Sequence, residues 1–178
     1  MEFKEAMLYG GAISVYIPKS FDDLSKIRDV PDYQEVFVDE NSECSMIIEL
    51  LDEATECKTH LAEHYFNDIS RCNCSKLTKV MTSDSLVELS NGFSFSKCFG
   101  TQLLEKKYND IQEKEELFLY VLAVRISSKK TDIVISFNNP SKINHKNNNK
   151  RKYCQTQIEE ILNKALKTLK IIDYNLFV

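Results

Sequence analysis

The sequence predicts a single α/β domain of the α+β kind, residues 1–178, whose C-terminal half is mainly an antiparallel meander. Three observations predict it. Runs of period-two alternation recur along the chain, as half-buried strands require. The strands of the second half follow one another through links far shorter than the dozen or more residues a parallel crossover needs. Two segments, Glu53–Ser70 and Gln155–Leu169, carry apolar residues at helical spacing instead. With 178 residues, 43% hydrophobic and 28% charged, the chain is long enough to bury one core without cross-links, and its composition is that of an ordinary globular domain.

Taken in order, Leu8-Tyr9-Gly10-Gly11-Ala12-Ile13 places two glycines before the alternating Ile13-Ser14-Val15-Tyr16-Ile17, a bend feeding a strand that Pro18 stops. Ser20-Phe21-Asp22-Asp23 has a hydroxyl followed three residues later by an acid, the pattern of a helix start, so Phe21–Arg28 is expected to be a short helix ended by Val30-Pro31. Gln34–Val38 and Ser45–Leu51 read as strands, the second more buried. In Glu53–Ser70 the apolar stripe runs through Cys57, Leu61, Tyr65 and Ile69. Lys76–Val80 and Leu86–Leu89 are short strand candidates, and Asn91-Gly92 is a hairpin-turn signal. Phe93–Leu104, Glu116–Ile126 and Asp132–Asn138 are longer strands, with Ser128-Lys129-Lys130 as a tight connection. Ser141–Lys152 is rich in Asn and Lys and lacks apolar periodicity, so an exposed loop is expected there in preference to a nuclear-targeting patch. The helix Gln155–Leu169 uses Ile158, Ile161, Leu162, Ala165 and Leu169, and Ile171–Phe177 is an apolar tail expected to dock.

Charge and motif content exclude several activities. A formal net charge of −4 leaves no cationic surplus for a phosphate backbone, so no direct nucleic-acid binding is expected. The longest apolar stretch, Leu117–Val124, is too short to span a bilayer, and Met1–Ala6 has no basic leader, so neither a membrane role nor export is expected. Six irregularly spaced cysteines then read as free thiols, Cys72-Asn73-Cys74 lacks zinc spacing, and the acceptor pattern Asn73-Cys74-Ser75 has no meaning in an unexported chain. No phosphate-binding glycine loop, dinucleotide fingerprint or serine-hydrolase elbow is present, and no cofactor is expected.

One catalytic pattern does occur. His60-Leu61-Ala62-Glu63-His64 satisfies the H-x-x-E-H pattern of a class of zinc peptidases, and on a helix it would place both imidazoles on one face. A third ligand is unspecified, His145 falls in the Asn/Lys loop, and Leu61 and Tyr65 are needed for the core stripe, so a surface histidine pair is the preferred reading over a zinc hydrolase. What remains is acids beside strands: Asp32, Glu35, Glu49 and Asp52, which on a rigid frame complement a basic surface with little ordering cost.

The blocks Leu8–Ile13, Val30-Pro31-Asp32-Tyr33-Gln34-Glu35-Val36-Phe37, Ile47-Ile48-Glu49-Leu50-Leu51-Asp52, Thr131–Asn138 and Asp173-Tyr174-Asn175-Leu176-Phe177 resemble, in order, the Ran guanine-nucleotide release factor family, often called the Mog family. Residues 72–114 match the family poorly and 141–152 are idiosyncratic, so contacts made there do not carry over. The resemblance implies a sandwich shared with the PsbP proteins: a mainly antiparallel, roughly six-stranded sheet with helices packed on both faces. It also implies binding to the small GTPase Ran, promotion of guanine-nucleotide (GTP) release and support of nuclear protein import. The chain is expected to be a monomer of nucleus and cytoplasm acting without chemistry of its own. A Ran-binding adaptor that releases nothing is the alternative.

Within the family an acid pair in the Ile-Ile-acid-Leu-Leu-acid block is implicated in Ran binding, which carries over to Glu49 and Asp52; Arg28, Asp32, Gln34 and Glu35 would share that surface. In a continuous strand, residues three apart point to opposite faces. Contact of both acids with one partner is therefore expected to require that the strand end or bulge near Leu51.

Overall fold

The computed structural model describes residues 1–108, 111–141 and 153–177. Strands β1 (Phe3–Leu8) and β2 (Ile13–Pro18) form an antiparallel pair around a turn in which Tyr9, Gly10 and Gly11 all have positive φ. The two glycines adopt that conformation without a Cβ penalty; Tyr9 does not. β3 (Asp22–Asp23), β4 (Gln34–Asp39) and β5 (Cys44–Asp52) follow, then α1 (Leu61–Cys72), β6 (Leu77–Ser83), β7 (Val87–Glu88), β8 (Ser94–Tyr108), β9 (Ile111–Ile126), β10 (Thr131–Pro140), α2 (Gln155–Thr168) and β11 (Lys170–Ile171).

Two sheets result. The larger has eight strands in the order β3-β4-β5-β10-β9-β8-β6 with β7 on β8, and every pairing in it is antiparallel. The smaller has the order β1-β2-β11. The expected antiparallel sheet with helices on both faces is present; it exceeds six strands through the two-residue β3 and β7.

The central strands are buried on both sides, which is why Leu117–Val124 reads as unbroken apolar sequence despite the antiparallel pairing. Leu119, Val121 and Ala123 of β9, with Val134 of β10, face a core completed by Leu61, Tyr65 and Phe66 of α1. Leu122, Val124, Ile133, Ile135 and Phe137 face the opposite way, into a larger core shared with α2 and the small sheet. Gly100 of β8 is required by close approach: a Cβ there would lie 2.6 Å from the Phe66 ring of α1 and closer still to the Lys79 carbonyl of β6. The Asn91-Gly92 turn forms as expected, with Gly92 at φ +80° and the Phe93 N–H donating to Asn91 Oδ1 at 3.1 Å.

Two expected helices change. The helix expected over Glu53–Ser70 begins only at Leu61, because the preceding backbone is bonded elsewhere. Arg125 of β9 donates to the carbonyls of Ala54 (2.8 Å) and Cys57 (2.7 Å), the Ala54 N–H goes to Asp132, and Ser96 of β8 receives the Ala62 N–H in the first turn of α1. In the segment expected to be a helix over Phe21–Arg28, Phe21 is fully buried and Asp22–Asp23 pair with β4. Only a 3-10 turn, Leu24–Lys26, survives, capped by Asp23 and not Ser20.

The tail docks as expected: β11 pairs with Ser14 and Ile13, and Leu176 and Phe177 pack on the larger core. The Asn/Lys-rich stretch from residue 142 to 152, with His145 and the basic residues considered for nuclear targeting, lies outside the described residues.

Candidate functional site

The β4–β5 hairpin is built around Asp39. Its carboxylate accepts from Asn41 N (3.0 Å) and Ser42 Oγ (2.9 Å), closing the turn and fixing a register in which Gln34 lies opposite Glu49. Gln34 Nε2 donates to Glu49 Oε1 at 2.7 Å. Among the described residues this is the only hydrogen bond of the Glu49 side chain, and no described cation pairs with it. Glu49 is half-buried, and burial lifts its carboxyl above the ordinary range despite the opposing Gln34 bond. A carboxylate held this way lacks compensation for lost water, and a cation brought to it by a partner would supply that compensation.

Glu35, one residue along β4, points to the opposite face and is committed to the fold. Its Oε1 accepts the Tyr9 N–H at 2.6 Å, holding Tyr9 in its left-handed conformation (φ +51°). The Tyr9 hydroxyl lies 3.0 Å from the Ile48 carbonyl and 3.2 Å from that of Tyr33, clamping β5 to the entry of β4 beside the Gln34–Glu49 pair. Burial, then the charges of Glu35 and Glu49, push this phenol well above its usual range, so it stays a donor.

Asp52 is the last residue of β5. It is exposed and still in register with Thr131 of β10. Of the two expected devices, an end or a bulge near Leu51, the structure has the end: β5 stops at Asp52, and no register shift occurs between Ser45 and Asp52, so within the strand Glu49 and Asp52 point to opposite faces. The pairing with β4 stops earlier, at Gln34↔Glu49. Arg28 and Asp32 sit exposed on the connection into β4, without an ion-pair partner among the described residues. The structure thus joins Gln34 to Glu49, holds Glu35 against Tyr9, and spreads Arg28, Asp32 and Asp52 around the same end of the ribbon.

The histidine pattern is divided between different partners. His60 precedes α1, with Nδ1 3.2 Å from Ser83 Oγ, while His64 Nε2 lies 3.5 Å from Glu56 and 3.3 Å from Asp68. Among the described residues no group of three or more His, Cys, Asp or Glu is arranged to hold a metal ion. The six cysteines are free, and burial pushes the Cys44 thiol up to about 11 and that of Cys98 to about 12, leaving both protonated and unreactive at neutral pH.

Sequence reasoning missed the network that fixes the chain beyond Asp52. Arg125 and Asp132 are cross-strand partners, 4% and 0% exposed, joined by Nε–Oδ1 (2.9 Å) and Nη2–Oδ2 (2.8 Å) bonds, and Tyr65 of α1 adds its hydroxyl to Oδ2 at 2.8 Å. The available signal was an arginine inside an otherwise apolar strand, followed seven residues later by an acid at the start of the next. It missed also a shallow cleft where the Tyr9–Ala12 turn meets Asp173, Asn175 and Leu176 of the tail.

The sequence profile described as "Ran-interacting Mog1 protein" matches residues 6–140. A Dictyostelium discoideum protein called "Probable ran guanine nucleotide release factor" is 31% identical over 99% of this chain and 97% of its own length. The Schizosaccharomyces pombe "Nuclear import protein mog1" is 31% identical over 75% of each chain. Among solved structures, the Saccharomyces cerevisiae Ran-binding protein Mog1p superposes with a TM-score of 0.76, covering 100% of both chains at 23% identity, and so has the same fold.

Proposed function

This chain belongs to the Ran-interacting Mog1 family, and from that premise we propose that it binds the small GTPase Ran through the Glu49 end of the β4–β5 ribbon and promotes release of its guanine nucleotide in nucleocytoplasmic transport. The observation that carries the reading is Glu49, an acid kept half-buried on a rigid strand and held by one neutral donor. Its desolvation favours any partner that brings a cation. In a nucleotide-bound GTPase, the cations that hold phosphate are such groups, and they are occupied until the nucleotide leaves.

The mechanism is linkage. A protein that binds nucleotide-free Ran more tightly than GTP-bound Ran weakens GTP by the same factor, because coupling between two ligands is reciprocal. Glu49 and Asp52 engage basic groups of Ran near its nucleotide, competing with phosphate and magnesium, while exposed Asp32 steers the encounter. Gln34 orients Glu49, and Glu35 acts indirectly by holding Tyr9 against both strands. No bond is made or broken, and the protein acts as a monomer without cofactor.

The test is release of a fluorescent guanine nucleotide from Ran. The double variant Glu49→Lys with Asp52→Lys is expected to slow stimulated release by about tenfold or more, within the range of an ordinary coupling energy. Unchanged release would remove these acids from the mechanism, and complex formation without faster release would make the protein a holder of Ran.

A further inference from the structure

We propose that the partner surface is the end of the sandwich and not a face of the sheet, and that the C-terminal tail around Ile172 and Tyr174 forms its second half. The proposal rests on the reading of Glu49 and Asp52 as acids that meet one basic protein partner, and it removes the difficulty that they point to opposite faces.

Asp52 has the same parity in β5 as Ile48 and Leu50, which pack into the core shared with the small sheet, so its side chain lies on the small-sheet side. On that side a short chain of contacts leads from Asp52 to the tail. Asp52 pairs with Thr131, whose hydroxyl donates to the Lys129 carbonyl at 2.9 Å; Lys129 Nζ lies 3.4 Å from the Tyr174 carbonyl and 5.6 Å from the centre of its ring.

From Glu49 a second path reaches the same place. Gln34 adjoins Tyr33, whose carbonyl meets the Tyr9 hydroxyl, and the Tyr9 turn ends at Ala12, whose carbonyl accepts the N–H of Ile172 (2.8 Å) and Asp173 (3.1 Å). The two paths close a belt around one end of the molecule.

The belt has the composition of a docking surface. Tyr33, Ile172 and Tyr174 are 50%, 50% and 46% exposed and lie along this one belt, together with the acids Glu49, Asp52 and Asp173, so apolar and acidic side chains share it. Exposed aromatic and aliphatic anchors flanked by acids fit a protein surface with an apolar spot ringed by cations, which is the surface already required to satisfy Glu49. The tail lies beyond the matched residues 6–140.

The experiment compares Ile172→Lys and Tyr174→Ala with wild type for affinity to nucleotide-stripped Ran and for nucleotide release, with Met81→Lys on β6, 53% exposed at the far edge of the large sheet, as control. Each tail variant is expected to weaken binding by about fivefold or more, the loss typical of an anchor residue, with release slowed in step and the melting temperature kept. Met81→Lys should bind as wild type does. Wild-type binding by both tail variants, alongside loss in the Glu49→Lys, Asp52→Lys double variant, would overturn the proposal and leave the functional reading intact. No binding of Ran by wild-type protein in any nucleotide state would end both.

Discussion

Glu49 is held against its own preference for water, and that has a consequence for stability as well as binding. Burial raises its carboxyl in the folded chain above the ordinary 4.5, so between that pH and the raised value the native state holds a proton that the unfolded state has lost. Its contribution to stability is therefore fully present below about pH 4.5 and is lost as pH rises through the folded value. Glu49→Gln removes the charge and keeps the acceptor that Gln34 uses. The variant is expected to melt at higher temperature than wild type at pH 7, to match it near pH 4, and to bind nucleotide-stripped Ran more weakly. Melting curves at the two pH values, set beside one binding isotherm, check this. A variant less stable at pH 7 would mean that the carboxylate is satisfied by the fold and is not reserved for a partner.

At the scale of elements, a buried ion pair decides where β5 stops being sheet and where α1 starts. The Arg125 guanidinium spends its donors on Asp132 and on two carbonyls of the 53–60 segment, and the Asp132 carboxylate collects Tyr65 and the Ala54 N–H, so no buried polar side-chain atom among the described residues lacks a partner. Replacing Arg125 by Met leaves the buried Asp132 without its cationic partner, and the expected cost is about 3–5 kcal/mol, read as a lower urea midpoint. Loss of the same anchor loosens the chain beyond Asp52, so nucleotide release should fall even in buffer where the variant remains folded. The network also explains which elements the sequence displayed. Gln34–Val38, Ser45–Leu51 and the helix after Gln155 were legible because each repeats its apolar residues at one period, and Asp132–Asn138 because a short apolar run between turn signals marks a strand buried on both faces. The start of α1, the pairing of Asp22–Asp23 with β4 and the grip of Glu35 on Tyr9 were not, because each is set by a residue distant in sequence. Of the candidate site, the Glu49 block was legible through its resemblance to a family; its half-burial and its join to Gln34 depended on strand register, and the tail's proximity to Asp52 on a belt of contacts that crosses both sheets.

For the whole molecule, 27 acids against 23 lysines and arginines give only a small net charge, so attraction to a basic partner depends on where the acids stand and not on their total. The belt combines two forces of different range. Exposed acids such as Asp32 and Asp52 act through solvent over roughly a Debye length, about 10 Å at 0.1 M salt, whereas the apolar contacts of Ile172 and Tyr174 act only after docking. Association with nucleotide-stripped Ran should accordingly slow as salt rises from about 0.05 to about 0.5 M, while dissociation changes little. Asp32→Lys, a substitution at an exposed position without a described ion pair, should lower the association rate by about two- to tenfold at low salt and flatten the salt slope, leaving dissociation near that of wild type. Ile172→Lys, which also places a cation before a basic partner, should do both, slowing association and speeding dissociation, because it replaces an apolar anchor as well. Stopped-flow mixing at several salt concentrations separates the two variants. An association rate indifferent to salt would show that the acids do not steer the encounter, and that apolar contact alone brings the partner to this end of the molecule.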